Sequence, residues 1–148
     1  MLTIPPGAFT VRQPIRFSDS DPAGIVFFPA FFRMFADLFE SWMNDCLRVP
    51  FADEFLKHGH MFPLVHTEVD FKAARAMGET MDLTLLLTDL GRSSIKYTIV
   101  GHDAGLVCLE GRFVVSVASK ETRRSMPIPD YIRRPMEGYL EACRGARG

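Results

Sequence analysis

The sequence predicts an α+β fold in which a curved, five-stranded antiparallel sheet wraps one long, mostly apolar helix, in the order β-α-β-β-β-β. Three observations predict it. From about Pro29 to Cys46 the polar residues Arg33, Asp37, Glu40 and Asn44 recur at helical spacing, with large apolar side chains over most of the remaining surface. From Leu64 onward the apolar period drops to two. Between the period-two runs stand the turn-forming stretches "AMGE", "LGRS" and "HDAG".

The elements follow in order. Val11 to Phe17 reads as the first strand. Pro29 suits the first helical position, because the N–H it lacks would have no partner there. The helix it opens carries Phe31, Phe32, Met34, Phe35, Leu38, Phe39, Trp42 and Met43, so it is apolar nearly all round and needs a wrapping surface. A short helical piece runs from about Phe51 to Lys57. Four strands then span Leu64–Phe71, Glu79–Leu90, Ser94–His102 and Leu106–Val117, and neighbouring runs are expected to pair as antiparallel hairpins. After Ser119 comes a basic tail with Lys120, Arg123, Arg124, Arg133 and Arg134, within which a final helix begins near Pro129.

The 148 residues fit one domain, 1–148, with a real hydrophobic core. A net charge of -1 argues against nucleic-acid binding, which needs a basic excess. Cys46, Cys108 and Cys143 are odd in number and widely spaced, as expected of reduced thiols in a cytoplasmic protein. The opening "MLTIPPGAFT" has neither the basic nor the apolar region of a signal peptide. The apolar run from Ile25 to Phe32 is stopped by Arg33, well short of the roughly 20 residues that span a bilayer. No membrane association is expected. Thirteen phenylalanines are many for this length, and some are expected to line a pocket.

Chemistry concentrates in "DSDPAGIVFFP", Asp19 to Pro29. Asp19 and Asp21 follow the first strand, Pro22-Ala23-Gly24 turns the chain, and the long helix begins about five residues later. The first N–H groups of a helix have no partners within it, and its dipole makes that end electropositive, which favours an oxyanion. A carboxylate on the adjoining loop supplies a base or a nucleophile. Together these parts suit attack on a carbonyl carbon. The alternative local reading is that both aspartates cap the turn, a common use of Asp.

"FSDSDPAGIVFFPAFFR", Phe17 to Arg33, on this order of elements resembles the hotdog-fold acyl-CoA thioesterases of the 4-hydroxybenzoyl-CoA thioesterase type. The resemblance implies a hotdog fold and an aromatic or short-chain acyl-CoA substrate, hydrolysed to the free acid and coenzyme A; no cofactor is expected, and no metal, since no Asp, Glu or Cys constellation supports His58 and His60. It makes Asp21 the catalytic carboxylate and the backbone N–H of Phe28 the donor to the thioester oxygen, with Asp19 as structural support. It further implies an acyl pocket drawing on Phe27, Phe31, Phe32 and Ala36, and coenzyme A phosphates met by Arg92 in "GRSS", with Arg123 and Arg124 behind it. Family members assemble through a sheet edge into dimers and tetramers, so a homo-oligomer, a dimer of dimers, is expected. Two departures bear on substrate. Phe28 stands where thioesterases of the Tol–Pal cluster type place a histidine, which moves the match toward aromatic acyl groups. Ala36 stands where members acting on 4-hydroxybenzoyl-CoA carry an acid, and Asp37, one residue on, is turned by about 100° on a helix.

Two other readings stay open: a hotdog dehydratase or hydratase, disfavoured because no His lies near "DSDPAG", and a non-catalytic acyl-CoA binder. His58 and His60 read as exposed loop histidines, and His66 as a structural strand residue.

Overall fold

A computed structural model describes residues 3–145. Strand β1 (Thr10–Pro14) leads through a short 3-10 turn at Phe17–Asp19 and a tight loop into helix α1 (Phe28–Ser41), which a wider π turn, Trp42–Cys46, prolongs. Helix α2 (Phe51–Leu56) and the two-residue strand β2 (His60–Met61) precede the main strands β3 (Leu64–Phe71), β4 (Thr80–Leu90), β5 (Ser94–Asp103) and β6 (Leu106–Ser116). Strand β7 (Ala118–Ser119) pairs with β2, and helix α3 (Asp130–Gly145) ends the described chain.

The sheet is antiparallel in the order β1-β4-β5-β6-β3, the hotdog arrangement with α1 against its inner face. One half of the core is the stripe Phe31, Met34, Phe35, Leu38, Phe39, Trp42 and Met43 of α1, which recurs at the three- and four-residue steps of a helix. The other half comes from alternate residues of the strands, among them Met81, Leu83, Leu85 and Leu87 on β4 and Ile95, Tyr97 and Ile99 on β5.

Three expectations need correction. The strands flanking "AMGE" do not form a hairpin. β3 pairs with β6 and β4 with β1, so β3 and β1 are the two edges of the sheet. The link from β3 to β4 instead crosses the end of the sheet, held by Lys72 and Ala73 N–H groups on Cys108 O and by Gly78 N–H on Ile15 O, 3.0 Å. The first strand stops at Pro14, and Phe17 stands 82% exposed in the 3-10 turn. The helix is not wrapped on all sides: a single sheet covers a single stripe, and Phe28, Phe32 and Ala36 are exposed.

The final helix expected near Pro129 is α3, which docks the end of the basic segment on the sheet. α3 buries Ile132, Met136 and Leu140 in the core, and Cys143 against Leu86 and Val100 on the outer face of the sheet. The Tyr139 hydroxyl donates to Leu85 O and accepts Phe9 N–H at 2.9 Å, extending the β1–β4 seam. No helix among the described residues is long and apolar enough to cross a membrane.

Candidate active site

The loop after β1 is a miniature hairpin. Asp21 N–H donates to Ile25 O (2.9 Å), Phe27 N–H to Asp19 O (2.8 Å), and Ser20 faces Val26. Gly24 closes the turn at φ +81°, a conformation that glycine adopts without strain, with its N–H on Asp21 O (2.9 Å). The "AMGE" link lies alongside as a third strand: Ile25 faces Ala76, Val26 N–H donates to Arg75 O (3.0 Å) and Met77 N–H to Gly24 O (2.9 Å). Asp21 is therefore set on an ordered three-stranded platform.

The two aspartates differ sharply. Asp19 is fully buried. Its Oδ2 accepts Arg16 N–H at 2.9 Å and its Oδ1 is paired with the Arg33 guanidinium, so it ties the loop to the second turn of α1. Asp21 is half-buried. Its Oδ1 accepts Ala23 N–H at 2.8 Å, an Asx turn, while Oδ2 has no hydrogen-bond partner among the described residues. The turn-capping reading of Asp21 is thus realised through one oxygen, while the other has no partner among the described residues.

At the helix start the donors are nearly exhausted. Phe27 is the N-cap, Pro29 in the second helical position has no N–H, and Ala30 N–H is bonded to Phe27 O at 2.8 Å. The N–H of Phe28 has no acceptor among the described residues. The electropositive end of α1 therefore offers a single backbone donor, one residue beyond the hairpin that presents Asp21.

Two cavities flank α1 on the side of the free edge β3. One, about 310 Å³, lies beside the helix start between Ile25, Phe28, Phe31, Phe71 and Arg75. Arg75 is buried and neutralised, with Nη2 2.8 Å from Asp103 Oδ2 and 2.7 Å from Thr80 O. The second, about 220 Å³, is walled mainly by rings, Phe32, Phe35, Phe39, Phe51, Phe62, Tyr97 and Phe113, with Ala36, Leu64 and Val115 completing it. Tyr97 and Phe113 stack at 5.2 Å with their planes 5° apart, which gives this cavity a flat floor. Burial pushes the Tyr97 phenol well above its usual range.

The residues singled out from the sequence divide accordingly. Phe32 and Ala36 line the ring-walled cavity, Phe28 and Phe31 line the one at the helix start, and Phe27, 53% exposed, lines neither. Asp37 points outward and pairs with Arg33 at 3.7 Å. Arg92 stands exposed in the β4–β5 turn, and Arg123 and Arg124 stand in the turn after β7. All three lie at the far end of the sheet from Asp21: the length of β4, roughly 35 Å at strand rise, separates them within one chain. The rings contributed by Tyr97 and Phe113 were visible in the sequence as inward members of alternating strands, but nothing there marked them as cavity walls.

His60 departs from the exposed-loop expectation. It is held 2.9 Å from the buried Glu54 carboxylate, which also accepts the Tyr131 hydroxyl at 2.7 Å.

The family model described as "Thioesterase-like superfamily" matches residues 15–136. A 1,4-dihydroxy-2-naphthoyl-CoA hydrolase of Nostoc punctiforme is 25% identical over 141 residues, 94% of this chain and 93% of its own length. A 4-hydroxybenzoyl-CoA thioesterase of Pseudomonas sp. (strain CBS-3) is 25% identical over 134 residues, 84% of this chain and 95% of its own. Among solved structures, a thioesterase superfamily protein of Jannaschia sp. CCS1 superposes with a TM-score of 0.85 at 25% identity, covering 95% of this chain and 98% of that one.

Proposed function

The chain belongs to the thioesterase-like superfamily and is a thioester hydrolase, and on that premise we propose that its substrate is an aromatic acyl-CoA, hydrolysed by Asp21 opposite the Phe28 N–H. The observation that carries this reading is a carboxylate oxygen without a hydrogen-bond partner and a backbone donor without an acceptor among the described residues, on one loop and the helix it opens. The donor is placed for the oxygen on which charge develops when the thioester carbon is attacked. Asp21 either takes a proton from a water whose oxygen adds to that carbon, or adds itself to give a mixed anhydride that water then opens. In both routes the C–S bond breaks and coenzyme A leaves as the thiol after taking up a proton. Phe27 and Phe28 are exposed in the single chain, and once a second copy covers them they keep water from the carbonyl and so strengthen the hydrogen bond to it.

The ring-walled cavity supports an aromatic acyl group, as do the activities for which the relatives are named. Burying a phenyl-sized group is worth roughly 1.5–3 kcal/mol. Benzoyl- and phenylacetyl-CoA are expected to exceed acetyl-CoA in kcat/KM by one to two powers of ten. A 4-hydroxyl is expected to add little, because Ala36 offers it no partner and Asp37 faces away. A panel of acyl-CoA thioesters, read by release of free thiol, checks this. Equal rates on acetyl and benzoyl thioesters, or a marked preference for long aliphatic chains, would refute the aromatic assignment.

The site is completed by a second copy in this reading. β3 is an open edge, with Leu64, Val65 and Phe71 exposed along it beside Phe28 and Phe32 of α1. Antiparallel pairing of β3 with its own copy about a two-fold sets the Leu64 end of one chain beside the Phe71 end of the other. That brings the Arg92, Arg123 and Arg124 end of one copy toward the Asp21 end of its mate, where coenzyme A phosphates can reach them. Two such dimers form the expected tetramer.

A further inference from the structure

At the end of the sheet remote from Asp21, a third cavity of about 270 Å³ is lined by Phe51, Phe55, His60, Met61, Phe62 and Pro63. His60 is the one polar side chain of the six, and its neighbours fix what it can offer. The Tyr131 hydroxyl gives its only hydrogen to Glu54 Oε1, 2.7 Å away, and burial followed by that hydrogen bond pushes the phenol up, so it stays a donor. A carboxylate oxygen accepts, so the hydrogen between it and the imidazole, 2.9 Å away, belongs to His60 Nδ1. The edge of a neutral His60 left for the cavity is then Nε2, a bare acceptor.

One cation stands at the rim, and two more lie close to it in the chain. Lys120 Nζ lies 4.2 Å from the centre of the Phe55 ring, and Lys120 N–H is bonded to Gly59 O at 2.7 Å, next to His60. Arg123 and Arg124 follow in the turn after β7, whose Ser119 pairs with His60 in register. An aromatic slot, one hydrogen-bond acceptor and three clustered positive residues match a flat, amino-bearing base joined to phosphates.

We infer that this slot receives the adenine of coenzyme A, stacked on Phe55 with its exocyclic amino group donating to His60 Nε2, while Lys120, Arg123 and Arg124 meet the phosphates. The inference rests on the thioesterase reading, since coenzyme A is what brings the nucleotide. The competing occupant is the acyl ring, because the slot shares Phe51 and Phe62 with the ring-walled cavity. An uncharged ring has no use for these cations, which favours the nucleotide.

Two measurements on the intact protein test it. Calorimetric titration with adenosine 3′,5′-bisphosphate reads the nucleotide alone. Phe55→Ala and His60→Ala are each expected to weaken its binding about tenfold, the scale of one lost base–aromatic stack or one lost specific contact. Phe55 is 42% exposed, so its truncation spares the core. The second measurement compares kcat/KM for one acyl group carried by coenzyme A and by pantetheine, which lacks the nucleotide. The advantage of the coenzyme A thioester is expected to shrink by the same factor in both variants. Unchanged bisphosphate binding overturns the inference, and so does an equal proportional loss on both thioesters, the mark of an acyl-ring slot. No turnover of either thioester, with Phe55-dependent bisphosphate binding intact, overturns the thioesterase reading instead.

Discussion

At Asp21 one carboxylate oxygen is tied to Ala23 N–H and the other has no partner among the described residues, so a neutral isostere separates the two roles. Asp21→Asn keeps the turn acceptor and loses the charge. It is expected to cut kcat by two or more powers of ten, the scale of a lost general base or more, with KM and melting temperature little changed. A variant that retains most of its activity would make Asp21 a turn residue only. Asp19→Asn is the opposite case. It weakens a buried pair with Arg33 and is expected to cost about 1–3 kcal/mol in a urea titration, below the full cost of a broken buried pair because Arg33 is half exposed and can be hydrated. Arg92 is exposed, and a contact of that kind is individually weak and screened by salt. Arg92→Ala is expected to raise KM for a coenzyme A thioester several-fold at low salt, with kcat nearly unchanged. An unaltered KM removes Arg92 from the phosphate site.

Among the elements, α1 and α3 divide the work. α1 carries the core with one stripe, and its first turn carries the Phe28 N–H, which has no acceptor among the described residues, so in the proposed mechanism its position relative to the hairpin of Asp21 matters most. α3 fixes the opposite flank of the sheet. The Tyr139 hydroxyl joins three segments there, on Leu85 O and Phe9 N–H, and burial pushes its phenol up so that it remains protonated. Tyr139→Phe keeps the ring against Trp42 but leaves Phe9 N–H without its acceptor. It is expected to lower stability by about 1–3 kcal/mol with thioesterase activity retained, measured by denaturant midpoint and thiol release on the same preparation.

The whole molecule leaves an apolar edge uncovered. Leu64 is 50%, Val65 64% and Phe71 48% exposed along an edge strand with unpaired backbone groups, and Phe28 of α1 is exposed beside it. A protein that stayed monomeric would usually guard such an edge with charge, a proline or a bulge. β3 does carry Glu68, drawn to Arg112 and His66 and held below the usual carboxylate range chiefly by the Arg112 hydrogen bond, and it has a bulge between Leu64 and His66. These leave the apolar ends open. Light scattering at micromolar concentration is expected to report a dimer or a dimer of dimers. A monomer would remove the shared site and with it the route by which Arg92 reaches the substrate.

The residues of "DSDPAGIVFFP", the helical spacing of Phe31, Met34, Phe35, Leu38 and Phe39, and the alternation in β4, β5 and β6 were enough to determine the class of fold, the order of its elements and the loop where the candidate chemistry sits. These are local signals: a period, a turn, a cap, each written within a few residues of itself. Tertiary structure alone decided that β3 joins β6 and not β4, because pairing depends on which edge is open once the sheet curls, and "AMGE" serves a turn or a crossing strand equally well. It alone brought His60, Glu54 and Tyr131 together from 77 residues of separation, and set Phe32 and Ala36 into one cavity and Phe31 into another. Side chains that meet across a core carry no mark of that meeting in the chain order, since only the packing of the helix against the sheet places them within contact distance.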